Sequence, residues 1–262
     1  MIIWGIIVLL LLGGICLFLF MVREAFLNKV VEHEITFPDF PDSFGKVTIF
    51  FISDIHRRVI SDRIIQNVKG KADFVIIGGD LMEKGVSFSQ VKENLRKLKQ
   101  VGPAYFVWGN NDYEVDFRKL DAILLDMGIK VLDNTAVTFE SNRGDKLSLL
   151  GVDDCSQERD RLDFALMDAE EGSFKILACH IPTITDKILP EHNIQLVLSG
   201  HTHGGQIHIL GYSPYPRGSL KKLKNTILLI SNGYGTTTVP LRLGAPAETH
   251  LITLKRGLEK IG

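Results

Sequence analysis

The sequence is poor in cysteine, with three in 262 residues, and it has almost no net charge, formally −1. Cys16, Cys155 and Cys179 show no paired spacing, which excludes both a disulfide framework and a zinc ribbon as the organising device. So sparse a use suits a reducing compartment. With 30 Lys and Arg against 31 Asp and Glu, no bulk field draws a polyanion, and nucleic acid is not expected as a main partner. Internal repeats and low-complexity tracts are also lacking, which removes solenoids and disordered arms. What is there is a chain 45% hydrophobic and 23% charged, long enough for one large domain with a substantial core.

One stretch carries no charge. Ile2 to Val22 reads IIWGIIVLLLLGGICLFLFMV, and about 20 such residues cross a bilayer core. A cleavable signal peptide wants a basic start, a shorter apolar core and a small-x-small site, but no Lys or Arg precedes this run and REAFL follows it. Residues 1–22 are therefore expected to be an uncleaved single-pass anchor in the cell membrane. Arg23 and Lys29 lie just beyond the span, which favours a cytoplasmic C-terminal domain. The pair Arg57-Arg58 sits too far past the run to be a twin-arginine export signal. Residues 23–44, with the turn-rich FPDFPDSFG, read as a juxtamembrane connection into a domain spanning 45–262.

Within that domain, short β-rich runs alternate with helical patterns. VTIFFIS (47–53), FVIIGG (74–79) and AYFVWG (104–109) each end at small residues. Between them, SQVKENLRKLKQV (89–101) places Val91, Leu95, Leu98 and Val101 on one helical face, and residues 116–127 repeat the pattern. Further strands are expected at 147–151, 175–180, 195–199, 206–210, 226–231 and 248–254. The pattern predicts an α/β chain with a β-rich second half.

Chemistry in open α/β sheets collects beyond the carboxyl ends of strands. Here the first run empties into Asp54-x-His56, the second into Gly79-Asp80 and the third into Gly109-Asn110-Asn111-Asp112; KILACH ends at His180, and QLVLSG at His201-Thr202-His203. Any one of these is ordinary turn chemistry, but five apolar runs ending in carboxylate, carboxamide or imidazole are not. Oxygen and imidazole donors without a thiolate suit divalent Mn, Fe or Zn.

In that order and spacing, the five blocks resemble the calcineurin-like metallophosphoesterase superfamily. The GHTHGGQ form, GVDD at 151–154 and the N-terminal anchor resemble its bacterial membrane-linked branch. The resemblance implies a two-layer β-sandwich flanked by helices, an αββα arrangement, behind one transmembrane helix. It implies two divalent ions: Asp54, His56 and His203 on one, Asn110, His180 and His201 on the other, with Asp80 bridging. The implied activity is hydrolysis of phosphoesters by a metal-bound hydroxide, without a covalent phosphoenzyme, on phosphodiester, pyrophosphate or lipid-linked phosphates.

The match departs at Asn111, where most members carry a histidine that protonates the leaving oxygen. A carboxamide supplies no such proton, and loss of a positioned acid lowers rates by roughly 10²–10⁴-fold. Asp112 is expected to orient its neighbour and Arg57 to meet a phosphate oxygen, while Arg57 or His208 is a candidate to stand in for the missing acid. The competing reading is a metal-holding interaction module of little activity, against which stands the retention of every ligand. The basic, aromatic loop GYSPYPRGSLKKLKN (211–225) follows the last block and is placed to shape the substrate mouth.

Overall fold

The computed structural model describes residues 1–258, 260 and 261. Its elements run α1 (Ile2–Ala25), β1 (Lys29–Phe37), β2 (Lys46–Ile52), α2 (Asp62–Val68), β3 (Phe74–Ile77), α3 (Phe88–Leu98), β4 (Ala104–Phe106) and α4 (Phe117–Asp126). They continue β5 (Lys130–Val131), β6 (Thr135–Glu140), β7 (Lys146–Gly151), α5 (Leu162–Asp168), β8 (Phe174–Ala178) and β9 (Ile194–Ser199). The chain closes with β10 (Ser219–Lys222), β11 (Ile227–Ile230), β12 (Glu248–Arg256) and β13 (Lys260–Ile261).

The strands form two sheets, ordered β13-β1-β12-β2-β3-β4-β5 and β10-β11-β9-β8-β7-β6. Their facing sides enclose one core, in which Ile49, Phe51, Ile76 and Val107 meet Leu149, Ile176, Leu196 and Leu198. Because side chains alternate along a strand, the intervening Phe50, Ile52, Val75, Ile77 and Phe106 point the other way and pack on α2, α3 and α4. The second sheet does the same through Leu150, Leu177 and Val197 against Leu162 and Ala165 of α5. Sheets covered on both faces read as continuous apolar runs rather than as alternation, which is why these strands are visible in the sequence. The helices start where side chains cap them: Ser61 accepts from Arg63 N, Ser87 from Gln90 N and Asp116 from Lys119 N.

Two expectations change. Residues 23–44 are not a loose connection, since β1 pairs in parallel with β12 along its whole length, from Lys29↔Glu248 to Phe37↔Arg256. Its apolar signal is thin because only Ile35 and Phe37 are buried. The strand expected at 206–210 is instead a tight loop with isolated bridges at Ile207 and Ile209. Left-handed backbone at Gly204, Gly205, Gln206 and Leu210 breaks any run there. α1 is 24 residues long and its apolar window is wholly unburied, so it is long and apolar enough to cross a membrane.

Deleting residues 1–20 should leave thermal stability of the domain nearly unchanged. Deleting 1–37 should remove roughly 3–6 kcal/mol, the burial of Ile35 and Phe37. Equal melting curves for the two deletions would show that β1 is dispensable.

Candidate metal centre

The carboxyl ends of β2, β3 and β4 in one sheet and of β8 and β9 in the other converge on one spot. Asp54 N donates to Gly79 O (3.0 Å), His56 N to Asp80 O (3.1 Å) and Gly200 N to His180 O (2.9 Å), which ties neighbouring loops together. His201 N donates to Asp54 Oδ1 at 3.1 Å and joins the two sheets. Asp54, His56, Asp80, His201 and His203 all have positive φ, between 50° and 69°. Left-handed backbone is uncommon outside glycine and costs about 1–3 kcal/mol per residue. Its concentration here shows that surrounding contacts hold these side chains in place. Glycines permit the approach: a Cβ on Gly200 would overlap Asp54 Oδ2, and one on Gly109 would overlap Asp80.

The side chains meet accordingly. Ligand atoms of Asp54, His56 and His203 lie within 4.8 Å of one another, as do those of Asp54, Asp80 and His180. His56 Nε2 is 3.1 Å from His203 Nε2, and His203 Nε2 is 3.4 Å from Asp54 Oδ1. Asp80 Oδ2 lies between the groups, 3.6 Å from His56 Nε2 and 3.3 Å from His180 Nε2. The carboxylate common to both close groups is Asp54, where the resemblance named Asp80 as the bridge. Asn110 and His201 adjoin them, with Asn110 Oδ1 2.9 Å from His201 Nδ1.

A divalent ion fits this donor set on its own terms. His180 Nε2 is buried, and its approach to Asp80 Oδ2 at 3.3 Å makes no well-directed hydrogen bond, an arrangement that protein interiors rarely leave uncompensated. Its other nitrogen, Nδ1, lies 2.8 Å from Gly78 O, the partner that frees Nε2 to coordinate.

The electrostatics are tightly linked. Burial pushes His180 toward neutrality, but Asp80 and Asp54 outweigh it and hold the imidazole up at about 10. Burial likewise opposes ionisation of Asp80, yet His180 and His56 hold that carboxyl well below its usual range. His203 goes the other way, lowered to about 4 by burial, with His56 and Arg242 adding to the effect. Asp112 is pushed up to about 7, by burial first and by the Asp80 charge second.

Four residues expected near the leaving group are engaged as follows. Asp112 does not touch the Asn111 side chain; its oxygens accept from Met82 N and Gly109 N, both at 2.9 Å, and fasten the β4 loop. Asn111 gives its backbone N–H to Asp80 Oδ1 (2.9 Å), and its own Oδ1 accepts from Asn110 Nδ2 (3.0 Å). Arg57, largely exposed, pairs with Glu83 rather than standing free over the ligands. His208 Nε2 lies 2.7 Å from Gly204 O and serves its own loop.

Two supporting residues had no motif to announce them. Glu83 Oε2 is 2.9 Å from His56 Nδ1, a carboxylate behind the imidazole that fixes its ring and tautomer. Arg242 is fully buried and donates to the carbonyls of His203, Asn232, Gly235 and Ala245, with one nitrogen 3.2 Å from His203 Nδ1. Cys155 and Cys179 are free thiols whose Sγ atoms lie 3.4 Å apart, a neighbourhood their spacing did not foreshadow.

Glu83→Gln should weaken metal binding by about 10–100-fold, the usual effect of losing a partner behind a ligating histidine. Competition of the full chain with a fluorescent chelator for Mn²⁺ measures it. Unchanged affinity would mean that His56 needs no carboxylate behind it.

Comparison with known proteins matches residues 47–205 to the calcineurin-like phosphoesterase family model. The chain is 47% identical over 210 residues to the Bacillus subtilis protein YpbG, covering 79% of this chain and 81% of that one. It is 32% identical over 252 residues to a zebrafish (Danio rerio) transmembrane protein with metallophosphoesterase domain, covering 87% of this chain and 57% of the relative. The Bacillus subtilis metallophosphoesterase YkoQ is 29% identical over 225 residues, with 78% and 82% covered. The family uses divalent metals, and the two close donor groups are candidate ligands for them. The chain is a metal-dependent phosphoesterase and belongs to the calcineurin-like phosphoesterase family.

Proposed function

We propose that the protein is a dinuclear-metal hydrolase that favours phosphodiester or phosphoanhydride bonds with good leaving groups, including those of lipid-linked phosphates. The observation that carries this reading is a doubled ligand set joined to a loop with no acid at its tip. Two divalent ions (Mn, Fe or Zn) would supply a water of lowered pKa and neutralise charge gathering at phosphorus. Asp54, His56 and His203 would hold one ion and Asn110, His180 and His201 the other, with Asp80 between them.

The chain's own residues define the rest. The Asn111 carboxamide is hydrogen-bonded to Asn110 and carries no acidic proton. Arg57 is engaged with Glu83 and with the Lys84 carbonyl. His208 is engaged with Gly204. The leaving oxygen thus departs without a side-chain acid, which selects aryl, phosphate or similarly stable leaving groups over alkoxides.

We place residues 1–22 across the cell membrane as a single-pass anchor, with the catalytic domain, 45–262 together with β1, on the cytoplasmic side. Support comes from the apolar α1 and from Arg23 in its last turn. The description of the zebrafish relative as a transmembrane protein agrees.

The kinetic expectation is a steep dependence of kcat/KM on leaving-group pKa. Asn111→His should raise turnover of alkyl diesters while leaving 4-nitrophenyl diesters almost unchanged. Because Asp112 is committed to backbone amides, the new ring has no carboxylate to steady it. The gain should therefore fall near or below the lower end of the roughly 10²–10⁴-fold effect of a positioned acid. Both ester types, assayed in both proteins at matched metal occupancy, decide it; a flat leaving-group dependence in the wild type would require another proton donor.

Orientation is tested separately. In intact cells, added protease should spare the domain and cleave it only after the membrane is opened; cleavage in intact cells would place it outside.

A further inference from the structure

A cavity of about 500 Å³ lies between the end of α1 and the candidate metal centre, a size suited to a substantial ligand fragment. Phe26 and Asn28, just past α1, line it, as do Val59 and Val239; Arg57 and Glu83, beside His56, complete the wall nearest the ligands. We propose that this cavity is a subsite for the lipid arm of a membrane-embedded phosphodiester, entered from the bilayer surface. The inference rests on the hydrolase reading above and names its substrate class.

The depth of the cavity follows from the helix. Residues 2–21 of α1 span about 30 Å, the thickness of the hydrocarbon core, which puts Met21 at its edge. There the domain is clasped to the helix without a spacer: Arg242 N donates to Met21 O and Ala247 N to Glu24 O, both at 3.1 Å. Arg58 donates to the carbonyls of Ala25 (3.3 Å), Leu27 (3.1 Å) and Phe26 (3.3 Å), closing the helix end. The cavity wall is therefore at headgroup level, where apolar side chains otherwise exposed to water find a matching phase.

Apolar side chains of the wall are indeed open to the outside. Phe26 is 50% exposed, Val59 43% and Val239 41%. Next to Arg242, Leu243 O accepts from His208 N at 2.8 Å. From there a short turn projects Ile209, Leu210 and Tyr212, which are 67%, 95% and 84% exposed. An aliphatic tip with a tyrosine suits the membrane–water boundary. A lipid whose phosphate reached the ligands would pass its first carbons through this cavity and keep its tails in the bilayer.

The test holds the reacting group constant and varies the arm. The full chain, reconstituted in phosphatidylcholine vesicles, is assayed on 4-nitrophenyl methyl phosphate in solution and on the 4-nitrophenyl phosphodiester of dioleoylglycerol in the same vesicles. Wild type should prefer the lipid ester in kcat/KM by about tenfold or more, and Val239→Asp and Leu210→Asp should each abolish most of that preference. Unchanged turnover of the methyl ester shows that the variants are folded. If the methyl ester is cleaved but no lipid preference appears, or the variants slow both esters alike, the subsite is wrong and the hydrolase reading stands. If metal-loaded wild type cleaves neither ester, both readings fall.

Discussion

The arrangement depends on burying several carboxylates in one place. Asp54 and Asp112 are fully buried and Asp80 nearly so, and uncompensated buried charge is among the most expensive features a fold can carry. The protein part alone meets this by holding His180 protonated against Asp80 and by raising Asp112 toward neutrality. The pairing is imperfect, since His180 Nε2 sits 3.3 Å from Asp80 Oδ2 without a well-directed hydrogen bond. Divalent cations would replace that proton, supplying positive charge where the carboxylates converge and a directed partner for the imidazole nitrogen. The left-handed backbone at Asp54, His56, Asp80, His201 and His203 fits the same account. The scaffold holds its ligands in a geometry that the loops would not adopt on their own.

Two arginines make that rigidity possible, and both work through carbonyl oxygens. Arg242, its pKa brought down to about 10 chiefly by burial, gathers the loops at His203, Asn232, Gly235 and Ala245. Arg58 lies over the Tyr234 ring at 3.6 Å and holds Tyr234 O at 2.6 Å along with the end of α1. A guanidinium can do this because its five donors are fixed in a plane and it stacks on an aromatic face; an ammonium has neither property. The Arg242 guanidinium contacts His203 while its main-chain N–H meets Met21 O, so one residue ties the ligand loop to the helix end that the Arg58 side chain closes.

What could be read from the sequence follows from where each signal is local. Asp54, Asp80, Asn110, His180 and His201 each sit at the end of an apolar run, because strands covered on both faces must be apolar throughout and the chain changes character where it leaves them. α3 and α4 were visible through their periodic buried faces. β1 was not, since its exposed Glu32 and Glu34 and half-buried valines resemble a polar connection until β12, more than 200 residues away, supplies the partner. Glu83 and Arg242 were missed for a related reason. Each acts on a residue reached only after the chain has folded, and neither lies in a motif. For Asp112 the resemblance implied a carboxylate that orients its neighbour; in the structure it accepts from the Met82 and Gly109 amides, a pairing no local signal announces.

The route from α1 to the domain bears on how such a site samples substrate. A flexible connection of some twenty residues would let the mouth range over tens of ångströms above a membrane. Instead α1 ends at Ala25 and β1 begins at Lys29, with Arg58 and the main chain near Arg242 filling the junction. Once α1 crosses a bilayer as proposed, both the height and the tilt of the ligand loops are set by the helix itself. The effective concentration of an interfacial phosphate at those loops is then fixed by geometry rather than by linker statistics. A site that, as proposed, lacks an acid for the leaving group gains most from such placement, because positioning is the part of catalysis that a rigid junction can supply without proton transfer.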